Sequence, residues 1–153
     1  MNERIPYTRL TPGALKGMQA LGSYLDTSNI EHSLRYLIEV RASQLNGCAY
    51  CLDMHTKDAR TAGETEQRLY TVAAWREAPF FTERERAALL WTETLTQLAG
   101  HPIPAEVRAQ VRAAFPDQEF VDLTFAISTI NTWNRLMLAF ETPAGSYKPE
   151  LAR

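Results

Sequence analysis

Apolar residues recur at three- and four-residue spacings along nearly the whole chain, and no convincing run alternates apolar and polar residues as a half-buried strand would. This periodicity points to an all-α fold, a helical bundle, and the caps and breakers say where its helices begin and end. Thr11-Pro12 opens a first short helix that carries Leu15, Met18 and Leu21 inward and closes near residues 24–26. Ser28 or Asn29 caps a second helix, which runs to about Leu45 with Leu34, Leu37, Ile38 and Leu45 as its apolar stripe, and Asn46-Gly47 breaks it. A third runs to about Ala62, where Gly63 supplies a left-handed stop, and Thr65 opens a fourth reaching about Trp75. After Ala78-Pro79, Thr82 followed by Glu85 has the form of a capping box for a long helix through Leu89, Leu90, Trp91 and Leu95, ending near Gly100. Pro102 and Pro104 lead into a short helix over about 105–115, and Pro116-Asp117 opens the last one. From Glu119 to about Phe140 that helix is so rich in apolar residues, Trp133 among them, that it reads as central or as a subunit contact. The stretch 141–153, polar with two prolines and one glycine, reads as an extended arm expected to lie along a neighbouring subunit.

The whole chain narrows the functional classes. A length of 153 residues and an apolar fraction of 45% suit one domain, 1–153, that builds a core without disulfide staples. Sixteen basic side chains stand against 18 acidic ones, net −2, so there is no large basic field for nucleic acid or anionic lipid. No uninterrupted apolar run approaches the ~20 residues of a membrane span, and Met-Asn-Glu-Arg-Ile-Pro lacks the order of a signal peptide. The expectation is a cytoplasmic protein with neither nucleic-acid nor membrane partners. In a reducing compartment, a close cysteine pair is catalytic or metal-binding before it is structural, because so short a loop restricts the unfolded chain very little.

That pair is Cys48 and Cys51, the two cysteines of the chain, followed by His55. On a helix beginning after Gly47, at ~100° per residue, the three fall within an arc of roughly 60°. Cys48 would stand in the first turn, where free backbone N–H groups and the positive end of the dipole favour a thiolate. Cys51 would lie one turn deeper, within reach of His55. The group reads as a dithiol redox centre with a base, within a redox core of about 30–75. A zinc site would need a fourth ligand from His32, His101 or a carboxylate, and a thioredoxin-like fold would need a strand before the motif; no metal is expected. On the preceding helix His32, Tyr36, Glu39 and Ser43 share one polar stripe, which can set Glu39 beside His55; Glu39 can equally pair with Arg35 one turn before it. Arg41 reads as an ion-pair partner orienting a carboxylate, Ser43 as a local helix hydrogen bond, and Trp91 and Trp133 as core or subunit contacts.

The elements Arg41-x-Ser43, Asn46-Gly47-Cys48-x-x-Cys51 and His55, with the later stretches Trp91-Thr-Glu-x-Leu-Thr96 and Asn131-x-Trp133-Asn134-Arg135, resemble the alkylhydroperoxidase D-like proteins of the carboxymuconolactone decarboxylase superfamily. The resemblance implies an all-helical protein, trimeric or hexameric, that reduces hydroperoxides with its cysteine pair and no bound cofactor, and is recycled by a lipoyl- or thioredoxin-like dithiol. It also implies that Cys51 attacks, Cys48 resolves the sulfenic acid as a disulfide, and His55 serves the proton relay. Relatives of that type carry a glutamate twelve positions before the first cysteine and a histidine between the cysteines, where this chain has Tyr36 and Tyr50. Glu39, one helical turn nearer, is the candidate replacement for the acid. A redox-sensing or disulfide-exchange protein, a non-redox decarboxylase-like enzyme and a scaffold that merely keeps the motif are the other readings.

Overall fold

The computed structural model describes residues 5–149, and every regular element among them is helical. In chain order these are α1 (Tyr7–Leu10), α2 (Pro12–Asp26), α3 (His32–Asn46), α4 (Ala49–Thr61), α5 (Glu66–Thr71), a 3-10 turn (Val72–Ala74), α6 (Glu83–Thr96), α7 (Ala105–Ala114) and α8 (Asp117–Ala139). Much of the punctuation is where local chemistry puts it. Thr82 Oγ1 accepts from the Glu85 N–H (3.2 Å) while Glu85 Oε2 accepts from the Thr82 N–H (2.8 Å), the reciprocal capping box. Gly47 ends α3 at φ +68°, a left-handed conformation that a side chain would strain.

Several boundaries differ from the periodicity. α1 is an additional turn, started by Pro6 and closed by Thr11, whose hydroxyl and N–H both donate to the Tyr7 carbonyl. α3 begins at His32 instead of near Ser28, because the Ser28 hydroxyl donates back to the Leu25 carbonyl (2.8 Å) and so finishes α2. α5 stops at Thr71 and tightens into the 3-10 turn before Trp75, and α6 ends at Thr96.

α3 is the central element, packed against α4, α6 and α8. Leu34 and Ile38 enter one apolar cluster with Trp91, Phe115, Leu123 and Ile127, while Leu37 and Val40 enter a second with Val72, Trp75, Phe81 and Leu89. Burying each such side chain is worth ~1.5–3 kcal/mol, so α3 is held in place by two of its faces. Its C-terminal end is fixed by amides. Asn46 Nδ2 donates to Asn131 Oδ1 (2.9 Å) and Asn134 Oδ1 (2.8 Å), and Asn134 Nδ2 donates to Ser43 Oγ (3.0 Å). The turn that delivers the cysteines is thereby tied to α8.

Glu93 on α6 anchors the opposite side. Its carboxylate accepts from Arg41 Nε (2.8 Å) and Trp75 Nε1 (2.9 Å) and pairs with Arg76 (2.7 Å). Burial alone would raise the Glu93 pKa, but the Trp75, Arg76 and Arg41 donors outweigh it and hold the group below its ordinary 4.5. The stability it contributes is therefore complete above that ordinary value and is lost as pH falls through the lower folded-state value. Glu93→Ala, which strands Arg41 and the Trp75 N–H, is expected to lower the unfolding free energy by about 3 kcal/mol in urea titrations at pH 7, with a smaller deficit at acid pH.

The chain after α8 does not extend away from its own subunit. Gly145 N–H donates to Asp53 Oδ2 (3.0 Å), the Tyr147 hydroxyl to Asp58 Oδ1 (2.7 Å), and Lys57 Nζ to the Tyr147 carbonyl (3.1 Å). These polar groups on the outer face of α4 draw the arm back onto the helix that carries the cysteines. Residues 145–147 of the expected arm thus pack on their own subunit, and residues 150–153 lie outside the described residues.

Candidate active site

Because Gly47 turns the backbone out of α3, Cys48 is the N-cap of α4, one position outside the helix and not within its first turn as spacing suggested. Its Sγ accepts from the Cys51 N–H at 3.3 Å, so the thiol does lie at the free N–H groups of the helix start. Cys48 and Cys51 are joined as a disulfide, with Cα atoms 5.3 Å apart. Each is about 1% exposed, packed with Met137, Tyr50, Trp133 and Tyr7.

One turn beyond Cys51, the buried His55 meets α3. His55 Nδ1 lies 3.1 Å from Glu39 Oε2, which leaves Nε2 as the nitrogen for proton exchange. The other oxygen, Glu39 Oε1, faces Arg35 Nη2 at 3.5 Å, and Arg35 Nη1 donates to Asp26 Oδ1 at 2.7 Å. Both partners foreseen for Glu39 are present together. Burial is the largest influence on Glu39 and pushes its pKa up, yet His55 and Arg35 together more than offset it, and the carboxyl sits below 4.5. It is a buried anion held by two partners.

These groups open onto a cavity of about 360 Å³ between α3, α4 and α8, closed at one side by α1 and α2. Cys51, His55, Glu39, Arg35 and Tyr50 form its reactive wall, and Leu25, Met54, Ile130, Trp133 and Met137 most of its apolar wall. Cys51 lines the cavity, and Cys48, bonded to it, is not among the lining residues. Tyr7 stands at the edge, its ring stacked on Phe140 at 4.4 Å and its hydroxyl 3.9 Å from Met137 Sδ. Burial, then the proximity of Tyr50, raises the Tyr7 phenol above its ordinary 10.0.

Of the residues singled out in the sequence, Cys48, Cys51, His55, Glu39 and Tyr50 come together here and three do not. Tyr36 packs against the second apolar cluster, where burial followed by Asp58 and Glu39 raises its phenol; the helical stripe it shares with Glu39 is divided between two environments. Arg41 orients a carboxylate, as expected, but that of Glu93, away from the cavity. Ser43 is fully buried and accepts from Asn134 on α8, a cross-helix bond and not a local one. His32 and His101 are exposed, and among the described residues no three His, Cys, Asp or Glu side chains are gathered so as to hold a metal. Sequence reasoning missed Tyr7, Met54, Thr129 and Met137 as cavity residues. Thr129, Trp133 and Met137 repeat every fourth residue on α8, a signal indistinguishable in sequence from ordinary core.

Residues 12–94 match the model of the carboxymuconolactone decarboxylase family. Over 146 residues the chain is 41% identical to the uncharacterized protein YdfG of Bacillus subtilis (strain 168), covering 95% of this chain and 99% of that one. A crystal structure from Agrobacterium tumefaciens, of a protein of unknown function suggested to be the antioxidant defence protein AhpD, is also 41% identical. It superposes with a TM-score of 0.89 over 95% of this chain and 100% of its own. An uncharacterized peroxidase-related protein from Silicibacter sp. TM1040 is 25% identical, with a TM-score of 0.76 over 86% of this chain and 70% of that one.

Proposed function

The chain belongs to the carboxymuconolactone decarboxylase family, among its alkylhydroperoxidase D-like members, and from that premise we propose that it is a thiol-dependent peroxidase that reduces hydroperoxides through a Cys48–Cys51 dithiol/disulfide cycle. The observation that carries this reading is Cys51 on the cavity wall, one turn from a histidine already paired with a buried carboxylate.

In the reduced protein His55 takes the Cys51 proton. The thiolate attacks one oxygen of ROOH, the O–O bond breaks, and Cys51 becomes a sulfenic acid while the alkoxide leaves as ROH with the proton returned by His55. Cys48 then attacks Cys51 Sγ, the S–O bond breaks, water leaves and the disulfide forms. A lipoyl- or thioredoxin-like dithiol closes the cycle by attacking the sulfur that the cavity presents, Cys51, and carries away the two oxidising equivalents as its own disulfide. Cys48 is then the leaving thiolate. Its position as the α4 N-cap stabilises that anion, and a better leaving group speeds the exchange. The helix start and the histidine thus serve different sulfurs. No bound cofactor is needed.

The test is stoichiometric. Reduced protein mixed with one equivalent of tert-butyl hydroperoxide is expected to consume it and lose both free thiols. Thiols that persist beside intact peroxide would turn the reading toward disulfide exchange or a non-redox activity of the family.

The same reading makes the protein cytoplasmic, where reducing conditions let such a pair cycle. Among the described residues no helix is long and apolar enough to cross a membrane, and the net charge of −2 favours neither nucleic acid nor anionic lipid. It also makes the protein a homo-trimer or homo-hexamer. Trp133 is half-buried on the cavity; Val121 and Phe125, one turn apart on α8 and each nearly half exposed, are apolar side chains that a second copy would cover. Light scattering at micromolar concentration is expected to report a trimer or hexamer, and Phe125→Glu a smaller species. A monomeric parent would count against this assembly.

A further inference from the structure

We propose that Arg35 is a positioning residue of the thiol site: held between Asp26 at the end of α2 and Glu39 one turn along α3, its guanidinium keeps the Glu39 carboxylate charged and turned toward His55. The inference rests on the proposed relay from Cys51 through His55 and adds to it the group that sets up the relay's acid.

The geometry divides the three partners cleanly. Arg35 Nη1 goes to Asp26 (2.7 Å), Nη2 to one oxygen of Glu39 (3.5 Å), and the second oxygen of Glu39 to His55 Nδ1 (3.1 Å). The Arg35 and Glu39 side chains are 14% and 13% exposed, whereas Asp26 is 60% exposed. Asp26 therefore acts as a tether at the solvent edge, and the charge that matters to the cavity is the inner pair. The third nitrogen, Arg35 Nε, is buried and finds no acceptor among the described residues. A buried donor without a partner is costly, so the orientation of this side chain is dictated by its two carboxylates and not by the best use of its own hydrogen bonds.

Among the described residues, the cations that act on Glu39 are Arg35 and His55. Around the Arg35–Glu39–His55 group, α2 supplies Asp26, α3 also Tyr36, α4 also Asp58 beside Tyr36, and α1 supplies Tyr7. The cavity-lining residues of α8, among them Thr129, Trp133 and Met137, carry no charge. Without Arg35, Glu39 is a buried carboxyl whose one remaining counter-charge is the imidazole it is meant to orient. Burial then favours its neutral form, in which one oxygen carries a proton and the fixed acceptor at Nδ1 is weakened.

Carboxyl-¹³C NMR titration of the oxidised full-length chain tests this without any peroxide. In the parent Glu39 is expected to titrate below 4.5. Arg35→Gln is expected to move its midpoint up by about one unit, Arg35→Lys to retain most of the depression, and Asp26→Asn, which frees the guanidinium for Glu39 alone, to move it further down. If Arg35→Gln does not fold, Asp26→Asn, at an exposed position, still decides. A Glu39 midpoint that stays put in Arg35→Gln, or in Asp26→Asn where Arg35→Gln does not fold, overturns the proposal. In turnover, the acid limb of the pH–rate profile should shift upward in Arg35→Gln and return in Arg35→Lys, while an equal loss at every pH would mark Arg35 as merely structural. A parent with no peroxidase activity would defeat the proposed function, and the titration would still judge Arg35.

Discussion

Cys51→Ser is expected to abolish hydroperoxide turnover, and Cys48→Ser to permit one oxidation per molecule and then stop. The two cysteines are equally buried, so exposure does not separate them, but the cavity does: Cys51 lines it and Cys48 is not among its lining residues. A peroxide entering the cavity meets one sulfur. After limited peroxide, mass spectrometry should find a sulfenic or sulfinic acid at Cys51 in the Cys48→Ser protein, a Cys48–Cys51 disulfide in the parent, and no adduct at Cys48 in the Cys51→Ser protein. Oxidation mainly at Cys48 in that last variant, with Cys51 inert in its reciprocal, would reverse the roles and give the thiolate stabilised at the helix start the attacking part.

Glu39→Gln is expected to lower the peroxidase rate by about 100-fold, the lower end of what a positioned acid–base group supplies. Glutamine keeps the shape and the contact with His55 Nδ1 but removes the charge that favours the imidazolium formed when Cys51 gives up its proton. Alkylation of Cys51 should then require a higher pH, because its base is weaker. Tyr36→Phe is expected to change the rate far less, since Tyr36 packs in the second apolar cluster and does not line the cavity. Full activity in Glu39→Gln together with inactivity in Tyr36→Phe would move the relay to the phenol.

The residues that carry these predictions were unequally legible. Cys48, Cys51 and His55 are within eight positions of one another, so helix geometry alone nearly fixes their relation. The one error there, Cys48 as N-cap instead of first-turn residue, arises because a glycine at φ +68° shifts the helix start by a residue. Glu39 was reachable through the stripe it forms on α3, yet that stripe also contained Tyr36 and Ser43, and periodicity cannot tell which side of a helix buried on several faces opens onto the cavity. Ser43 went to α8 and Tyr36 to the second cluster.

The sequence by itself determined that the chain is helical, most of its helix limits and the pairing of two thiols with a histidine, because each depends on residues a few positions apart. Only the tertiary structure decided which cysteine lines the cavity, that Arg35 and His55 share one carboxylate, and that Thr129, Trp133 and Met137 of α8 line that cavity with Cys51. Those relations join residues up to 86 positions apart, from Cys51 to Met137. They follow from how α3, buried on opposite faces, fixes the relative rotation of α4 and α8, a quantity that no local spacing encodes.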